Sequence, residues 1–363
     1  MTRGGRDREA GLTLVELMIS MVVASIAMGA ALAVGLTMGS QFRDHREITQ
    51  TERAARVALE MIADGIRGAG PGVPSGRVYV GGSCVQMGSI HVDDDADDQT
   101  FTSDPDFGGG TLTPREGTDL LEIVQASGGV YSTLRGPFDE TTTSLEVTGT
   151  TGWRQGDYAL VTNLAEDSTS VGYVVRVADT PSADAIPIDE LGCGWTVSPA
   201  IGAGGFAIRV RVVRYFVADL AAGAPFLMMD LDADGDAFTP QPVAPGVEDL
   251  QLVVGIEDLA DGDAILSPDT APAIDDEWFG NFAGDLDATA IAQFPGDPAV
   301  PPWRAVRVSI VARALDPATD VPSAPAFAPK VLENHTPTDL TPDKYRRRVL
   351  QTTVDIRNLE GSP

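Results

Sequence analysis

From Leu17 to Phe42 the chain carries no charged residue, and one carboxylate, Glu16, stands at the mouth of that run. Leu17–Met38 is almost wholly Leu, Met, Ile, Val, Ala and Gly. As an α-helix these residues reach about 33 Å, enough to cross the hydrocarbon core of a bilayer. A helix apolar on every face needs apolar surroundings, so the segment reads as a membrane span. An ionised carboxylate inside it costs a few kcal/mol unless something pairs it, which makes Glu16 a candidate functional residue. A conventional secretory signal fits less well. Ala31-Leu32-Ala33 offers a small-residue cleavage pattern, but the apolar run is too long and opens on a carboxylate.

The helical pattern outlasts the apolar run. Between Phe42 and Arg67 there is no Pro, and no Gly before Gly65, while Ile48, Ala54, Val57, Ala58, Met61, Ile62 and Ile66 recur among charges at helical spacing. Gly68-Ala69-Gly70-Pro71-Gly72 then ends the helix, because glycine supplies the cap and proline cannot continue the ladder. The reading is one helix over 12–67, about 84 Å long, with 12–42 in the membrane and an amphipathic 43–67 laid on a head formed by 68–363.

Charge is divided along the same boundary. Residues 1–67 hold 8 basic and 8 acidic side chains, leaving 25 − 8 = 17 basic and 53 − 8 = 45 acidic in the head, so the net charge of −28 belongs to residues 68–363. Such a field repels nucleic-acid backbones and favours solubility or cation binding. Cys84 and Cys193, both in the head, are either one disulfide, whose loop closure contributes about 4 kcal/mol in an exported chain, or two separate thiols; spacing does not decide.

In the head, Ile208, Val210 and Val212 alternate with Arg209 and Arg211, and Tyr215 to Val217 extend the run. Leu250 to Ile256 and Val306 to Ala312 alternate in the same way. Shorter candidate strands are Leu120 to Gln125, Tyr158 to Thr162, Tyr173 to Val177 and Arg348 to Ile356, and the Gly-, Pro- and Asp-rich stretches 92–117, 178–206 and 257–302 read as loops. The class is therefore α+β: one long N-terminal helix packed on a β-rich, mainly antiparallel head with long loops, large enough for a second β subdomain.

Two acidic clusters stand out. Asp230, Asp232, Asp234, Gly235 and Asp236 follow D-x-D-x-D-G, a spacing that converges carboxylates on a hard cation such as calcium. The twelfth place, however, holds Gln241 rather than a bidentate Glu. The competing reading is a hairpin with Asp234-Gly235 at its corner. The run His91, Asp93, Asp94, Asp95, Asp97 and Asp98 reads as a solvated acidic loop. With three histidines and no H-E-x-x-H, G-x-S-x-G or G-x-x-x-x-G-K pattern, the sequence supports no enzyme chemistry and requires no cofactor.

The start of the chain resembles the prepilin signature of type IV pilins and type II secretion pseudopilins: an Arg-containing leader (Arg3, Arg6, Arg8) ending in Gly11, then an apolar residue, then Glu at the fifth place after the glycine. The resemblance implies that a prepilin peptidase cuts between Gly11 and Leu12 and methylates the new amine of Leu12. It also implies that Glu16 docks the terminal ammonium of a neighbouring subunit. Glu52 to Ile62 with Asp64 to Arg67, Gly246 to Gln251, Trp303 to Val308, and Arg346 to Val349 with Arg357-Asn358 resemble PilW-like minor pilins. That family implies a low-abundance subunit that helps initiate or cap a type IV pilus. Its partners would be minor and major pilins, the prepilin peptidase and the inner-membrane assembly platform. The head would be periplasmic behind a single-pass inner-membrane anchor, and later on a filament at the cell surface. A GspJ-like pseudopilin shares the architecture and is the nearest alternative; a pilus-associated calcium-dependent adhesin is compatible with either.

Processing gives the first test. The mature chain should begin at Leu12 and hold 363 − 11 = 352 residues, which N-terminal sequencing of the exported protein checks. A start after Ala33 would instead mark an ordinary signal peptide.

Overall fold

The structure is a computed structural model that describes residues 13–71, 73, 77–80, 85–94, 101–103, 110–164, 171–189, 197, 200–220, 223–231, 240–256, 277–280, 303–318, 326–333 and 335–356. Helix α1 (Leu14–Arg67) leads into β1 (Arg77–Val80), β2 (Val85–Gly88), β3 (Ile90–Asp93), β4 (Phe101–Ser103), β5 (Gly110–Leu112) and β6 (Leu120–Thr133). The middle of the chain forms β7 (Ser144–Glu146), β8 (Tyr158–Thr162), β9 (Gly172–Arg176), β10 (Ala185–Pro187) and β11 (Phe206–Asp219). Then come β12 (Pro225–Asp230), β13 (Gln241–Pro245), β14 (Val247–Ile256), β15 (Trp278–Phe279), β16 (Trp303–Arg313) and β17 (Arg347–Asp355).

Two sheets carry the head. The larger, nine-stranded sheet is built around β11, which pairs β6 on one side and β8 and then β12 on the other; β9, β1 and β2 extend it beyond β8, β13 lies outside β12, and β3 pairs β6. Only the β1–β9 pair in it is parallel. The second sheet runs β15-β14-β16-β17. The predicted strands are all present, the shorter candidates as β6, β8, β9 and β17. Strands that were not predicted were missed for local reasons: β13 contains Pro242 and Pro245, tolerated because it is an edge strand. The stretches read as loops contain β4, β5, β10 and β15, each only two or three residues long.

The second half of α1 joins the sheets. Ala58, Leu59, Ile62, Ala63 and Ile66 share one core with Leu121, Ile123, Val213 and Tyr215 of the large sheet and with Leu252, Val254, Val306, Val308 and Val354 of the small one. Val57, expected in that stripe, is 46% exposed; adjacent to Ala58, it is turned about 100° from it. A separate core fills the space between the far end of the large sheet and the β7–β10 ribbon, around Phe138, Leu145, Trp153, Tyr173 and Ile186. The helix ends as expected at Gly68, whose N–H bonds the carbonyls of Asp64 and Gly65, and the chain is at once tied to β6 by Gly70 N–H to Val124 O (2.9 Å).

Where the large sheet hands over to the small one, the chain turns at Gly246. Its φ is +78°, its N–H bonds Pro225 O, and its carbonyl accepts from Arg313 N–H at 2.7 Å. A Cβ there would lie 2.5 Å from the backbone oxygen of Arg313. Gly246→Ala should therefore destabilise the head by about 2–4 kcal/mol, combining left-handed strain with a backbone clash. Gly149→Ala, whose Cβ meets nothing within 4 Å, should stay within about 0.5 kcal/mol of the parent. Chemical denaturation of the full chain in detergent compares the two.

Candidate functional site

At the membrane end, Thr13 is the N-cap of α1 and forms a capping box with Glu16. Glu16 N–H donates to Thr13 Oγ1 (3.3 Å), and Glu16 Oε2 accepts from both the N–H and the hydroxyl of Thr13 (2.9 Å each). The carboxylate therefore sits on the positive end of its own helix dipole, which lowers the cost of placing it among apolar residues. Among the described residues, Oε1 takes no donor. Thr13 was passed over in the sequence, yet Thr13-Leu14-Val15-Glu16 is the S/T-x-x-E capping signal immediately before an apolar run. Gly11 and Leu12 lie outside the described residues.

Along the span, the hydroxyls of Ser20, Ser25 and Thr37 donate to the carbonyls of Glu16, Met21 and Ala33, four residues back. Their polarity is thus met inside the helix. Fifteen large apolar side chains from Leu14 to Phe42 are exposed in the isolated chain, each at least half so. At about 1.5–3 kcal/mol per side chain buried, the drive to cover them amounts to tens of kcal/mol. Only lipid or other apolar helices supply that cover.

The head's distinctive chemistry lies on the face of the small sheet turned away from α1. Asp249, Gln251, Arg307, Ser309 and Gln351 share that face by register. A loop closed by paired Phe327 and Asp343 backbone bonds (2.7 and 2.9 Å) lies over it. The loop's Glu333, held at φ +49°, takes Arg307 Nη2 (3.0 Å), Ser309 Oγ (2.7 Å) and Gln351 Nε2 (2.7 Å). His335 Nδ1 lies 2.8 Å from Asp249 Oδ2. This His–Asp pair is walled in, since a Cβ on Gly117 would fall 2.2 Å from His335 Nε2. Beside it a cavity of about 770 Å³ is lined by Arg115, Arg313 and Arg347, whose charges converge on Glu248.

Asp119 joins the two sheets. Its N–H bonds Leu250 O (3.0 Å) and its Oδ2 accepts from Leu252 N–H (2.6 Å), while Oδ1 is buried without a hydrogen-bond donor. The β3–β6 register, ending at Asp93 opposite Leu120, brings Asp94 beside it, and Asp249 lies close by. Burial first, and then the neighbouring Asp94 and Asp249, push the Asp119 carboxyl well above the usual carboxylate range. Asp343 behaves oppositely, held low chiefly by its bond to the Arg347 guanidinium.

The sequence-derived acidic and cysteine sites fare differently. Asp230 is the last residue of β12, 5% exposed and opposite Arg214 in the register, while Asp232, Asp234 and Asp236 lie outside the described residues, as do Cys84 and Cys193. The acidic segment connects the antiparallel neighbours β12 and β13. No group of three or more His, Cys, Asp or Glu side chains among the described residues is arranged to hold a metal ion.

Comparison with known families gives two matches. Residues 214–358 match the family model of the type IV pilus-assembly protein W, and residues 6–32 match the prokaryotic N-terminal methylation motif. The first covers the end of β11, β12, β13 and the whole small sheet with its overlying loop; the second covers the capping box and much of the apolar span. No curated protein and no solved structure matches the chain.

The raised pKa of Asp119 gives a pH test. Its folded-state pKa is raised, so its contribution is fully present below the unfolded value of about 3.9 and is lost as pH rises through the folded value. Asp119→Asn removes the titrating carboxyl and keeps the acceptor for Leu252. The variant's stability relative to the parent should therefore rise with pH from about 4 towards neutrality, by at most about 1.4 kcal/mol per pH unit. Thermal unfolding of both chains across that range measures the difference, and the opposite dependence of Asp343 cancels between them. A difference that does not change with pH would show that Asp119 is ionised in the folded head.

Proposed function

Because the chain is a PilW-like pilin with a prepilin signature, we propose that it is the kind of minor subunit that starts or caps a type IV pilus, released for assembly by cleavage after Gly11. Its role in pilus assembly is structural. The observation that carries the finer reading is α1 itself: one continuous 54-residue helix whose first half exposes apolar side chains all round and whose second half is fixed into the head. A single-pass anchor of this form holds the head on the outer side of the inner membrane until neighbouring pilin helices replace lipid around the span. The match names pilus assembly, which favours the pilus over the secretion machine.

In this reading Glu16 serves twice. Its Oε2 caps its own helix, which leaves Oε1 for the amine of an adjacent subunit. Removing the carboxylate would leave that buried ammonium without its counter-charge, a loss of about 3 kcal/mol or more.

Glu16→Ala should insert into the membrane as well as the parent, while its recovery in sheared filaments, measured against the major subunit by immunoblot, should fall about tenfold or more. Thr13→Ala, which removes the cap but keeps the carboxylate, should cost only about 1 kcal/mol of helix stability and leave most of the incorporation. Equal incorporation of Glu16→Ala and the parent would remove Glu16 from the docking role.

A further inference from the structure

The two edges of the small sheet are finished differently. Strands β16 and β17 pair from Ala305 with Asp355 to Arg313 with Arg347 without a register shift. Just beyond either end, Ala314 N–H bonds Arg346 O and Ile356 N–H bonds Arg304 O, both at 2.9 Å and in the same register. Bonded residues alternate along an antiparallel strand. Arg348, Leu350, Thr352 and Val354 therefore turn their backbone groups towards β16, and Val349, Gln351 and Thr353 turn theirs outward. The same alternation, carried across β16, leaves Leu250 and Leu252 of β14 facing the opposite edge, where Asp119 bonds both. At the foot of β17, the Phe327–Asp343 bonds close the outer side. Above that foot, Val349, Gln351 and Thr353 are exposed, and among the described residues nothing bonds their backbone N–H or C=O.

Edge strands are ordinarily blunted, as β13 is by Pro242 and Pro245. β17 has neither a proline nor a bulge, and the guanidinium of Arg347 is turned to Glu248 and Asp343. From Val349 to Thr353 it offers a regular edge about 14 Å long, a template on which another strand adds by main-chain hydrogen bonds. We propose that this edge, through the backbone groups of Val349, Gln351 and Thr353, takes an extended strand from the head of a different pilin subunit standing alongside.

The proposal rests on the filament-subunit reading, and the partner follows from the direction of β17. Arg346 lies 3.9 Å from Glu47 and Arg348 lies 3.6 Å from Glu52, so β17 ascends beside α1, away from the apolar span. Its open edge is continuous with the flank of the helix, along which other pilin helices replace lipid lower down. Each of those helices carries its own head to the same side of the membrane. A second copy of this chain fits less well: antiparallel pairing of two β17 edges would point the two spans in opposite directions, whereas every copy enters the apolar phase by the same end.

The test mixes the full chain in detergent micelles with each of the other purified pilins of the same filament in turn, and follows amide hydrogen exchange residue by residue. In the chain alone, Val349, Gln351 and Thr353 should exchange fast, and Leu350, Thr352 and Val354 slowly. The partner pilin should slow the first three about tenfold or more and leave the others unchanged. Thr353→Pro removes an N–H that the sheet does not use. It should melt within a few degrees of the parent, yet bind that pilin and enter sheared filaments about tenfold less. Thr353→Ala, which keeps the N–H, should match the parent in all three respects. The proposal fails if no pilin slows the outward amides, or if Thr353→Pro binds and assembles like the parent. Slowing that develops in the chain alone as its concentration rises would assign the edge to self-pairing and overturn the proposal as well. Should Thr353→Pro melt far below the parent, the exchange pattern of the unsubstituted chain decides. A parent chain absent from sheared filaments would sink the filament reading, whereas the exchange measurement judges the edge on its own.

Discussion

The head exists because one face of one helix is buried twice. Ala58, Ile62 and Ile66 pack against Ile123 and Tyr215 of the large sheet and, in the same continuous core, against Leu252, Val306 and Val308 of the small one. β11 and β12 approach β14, and α1 packs against both sheets. Small residues at Ala55, Ala58 and Ala63 and the glycine at Gly65 allow this. A Cβ on Gly65 would come 2.9 Å from Ile123 Cδ1, so the helix lies against the sheet as closely as a backbone permits.

The other seams between the sheets are polar and specific. Asp119 and Gln251 stitch β14 to the turn before β6, through Leu252 N–H to Asp119 Oδ2 and Gln251 Nε2 to Gly117 O. On the outer face of the small sheet, Glu333 gathers an arginine, a serine and a glutamine from two strands, and Arg347, 2% exposed, bridges Glu248 and Asp343. Buried ionic groups of this kind contribute less to net stability than to fixing one arrangement, since desolvation offsets much of their attraction. Here they fix the loop between Phe327 and Asp343 over the sheet, in the portion of the chain that matches the PilW family.

How much of this is written locally in the sequence differs by element. The helix was legible from end to end because its signals are short-range: an apolar run without Pro, a 3.6-residue stripe after it, and a glycine cap. Strands β8, β11, β14 and β16 were legible because β-branched and aromatic residues run without interruption or alternate cleanly. The short ribbons were not, since a two- or three-residue pairing such as β7 with β10 is specified by its partner rather than by its own residues. The polar layer was not legible for a related reason. Arg307 and Ser309 alternate with apolar neighbours as a solvated face would, and only a loop more than twenty residues downstream, carrying Glu333, turns that face inward. At the membrane end the reverse held: Glu16 drew notice as a costly carboxylate, while Thr13, which satisfies it locally, did not.

The tie between the end of α1 and β6 gives the molecule a load path. A filament subunit is pulled, and tension along the helix arrives at Gly68 and Gly70, where the chain is bonded to Val124 and Ala69 bridges Gln125. From there it enters β6, which is paired with β11 from Leu121 to Thr133, and spreads into the strand with most neighbours in the large sheet. Resistance to such a pull is governed by the rate of unfolding rather than by equilibrium stability. The long β6–β11 ladder thus stands between the anchor and the outermost parts of the head. The β7–β10 ribbon and the loop over the small sheet lie off that line, so they can diversify in sequence without weakening the grip of the head on its stalk.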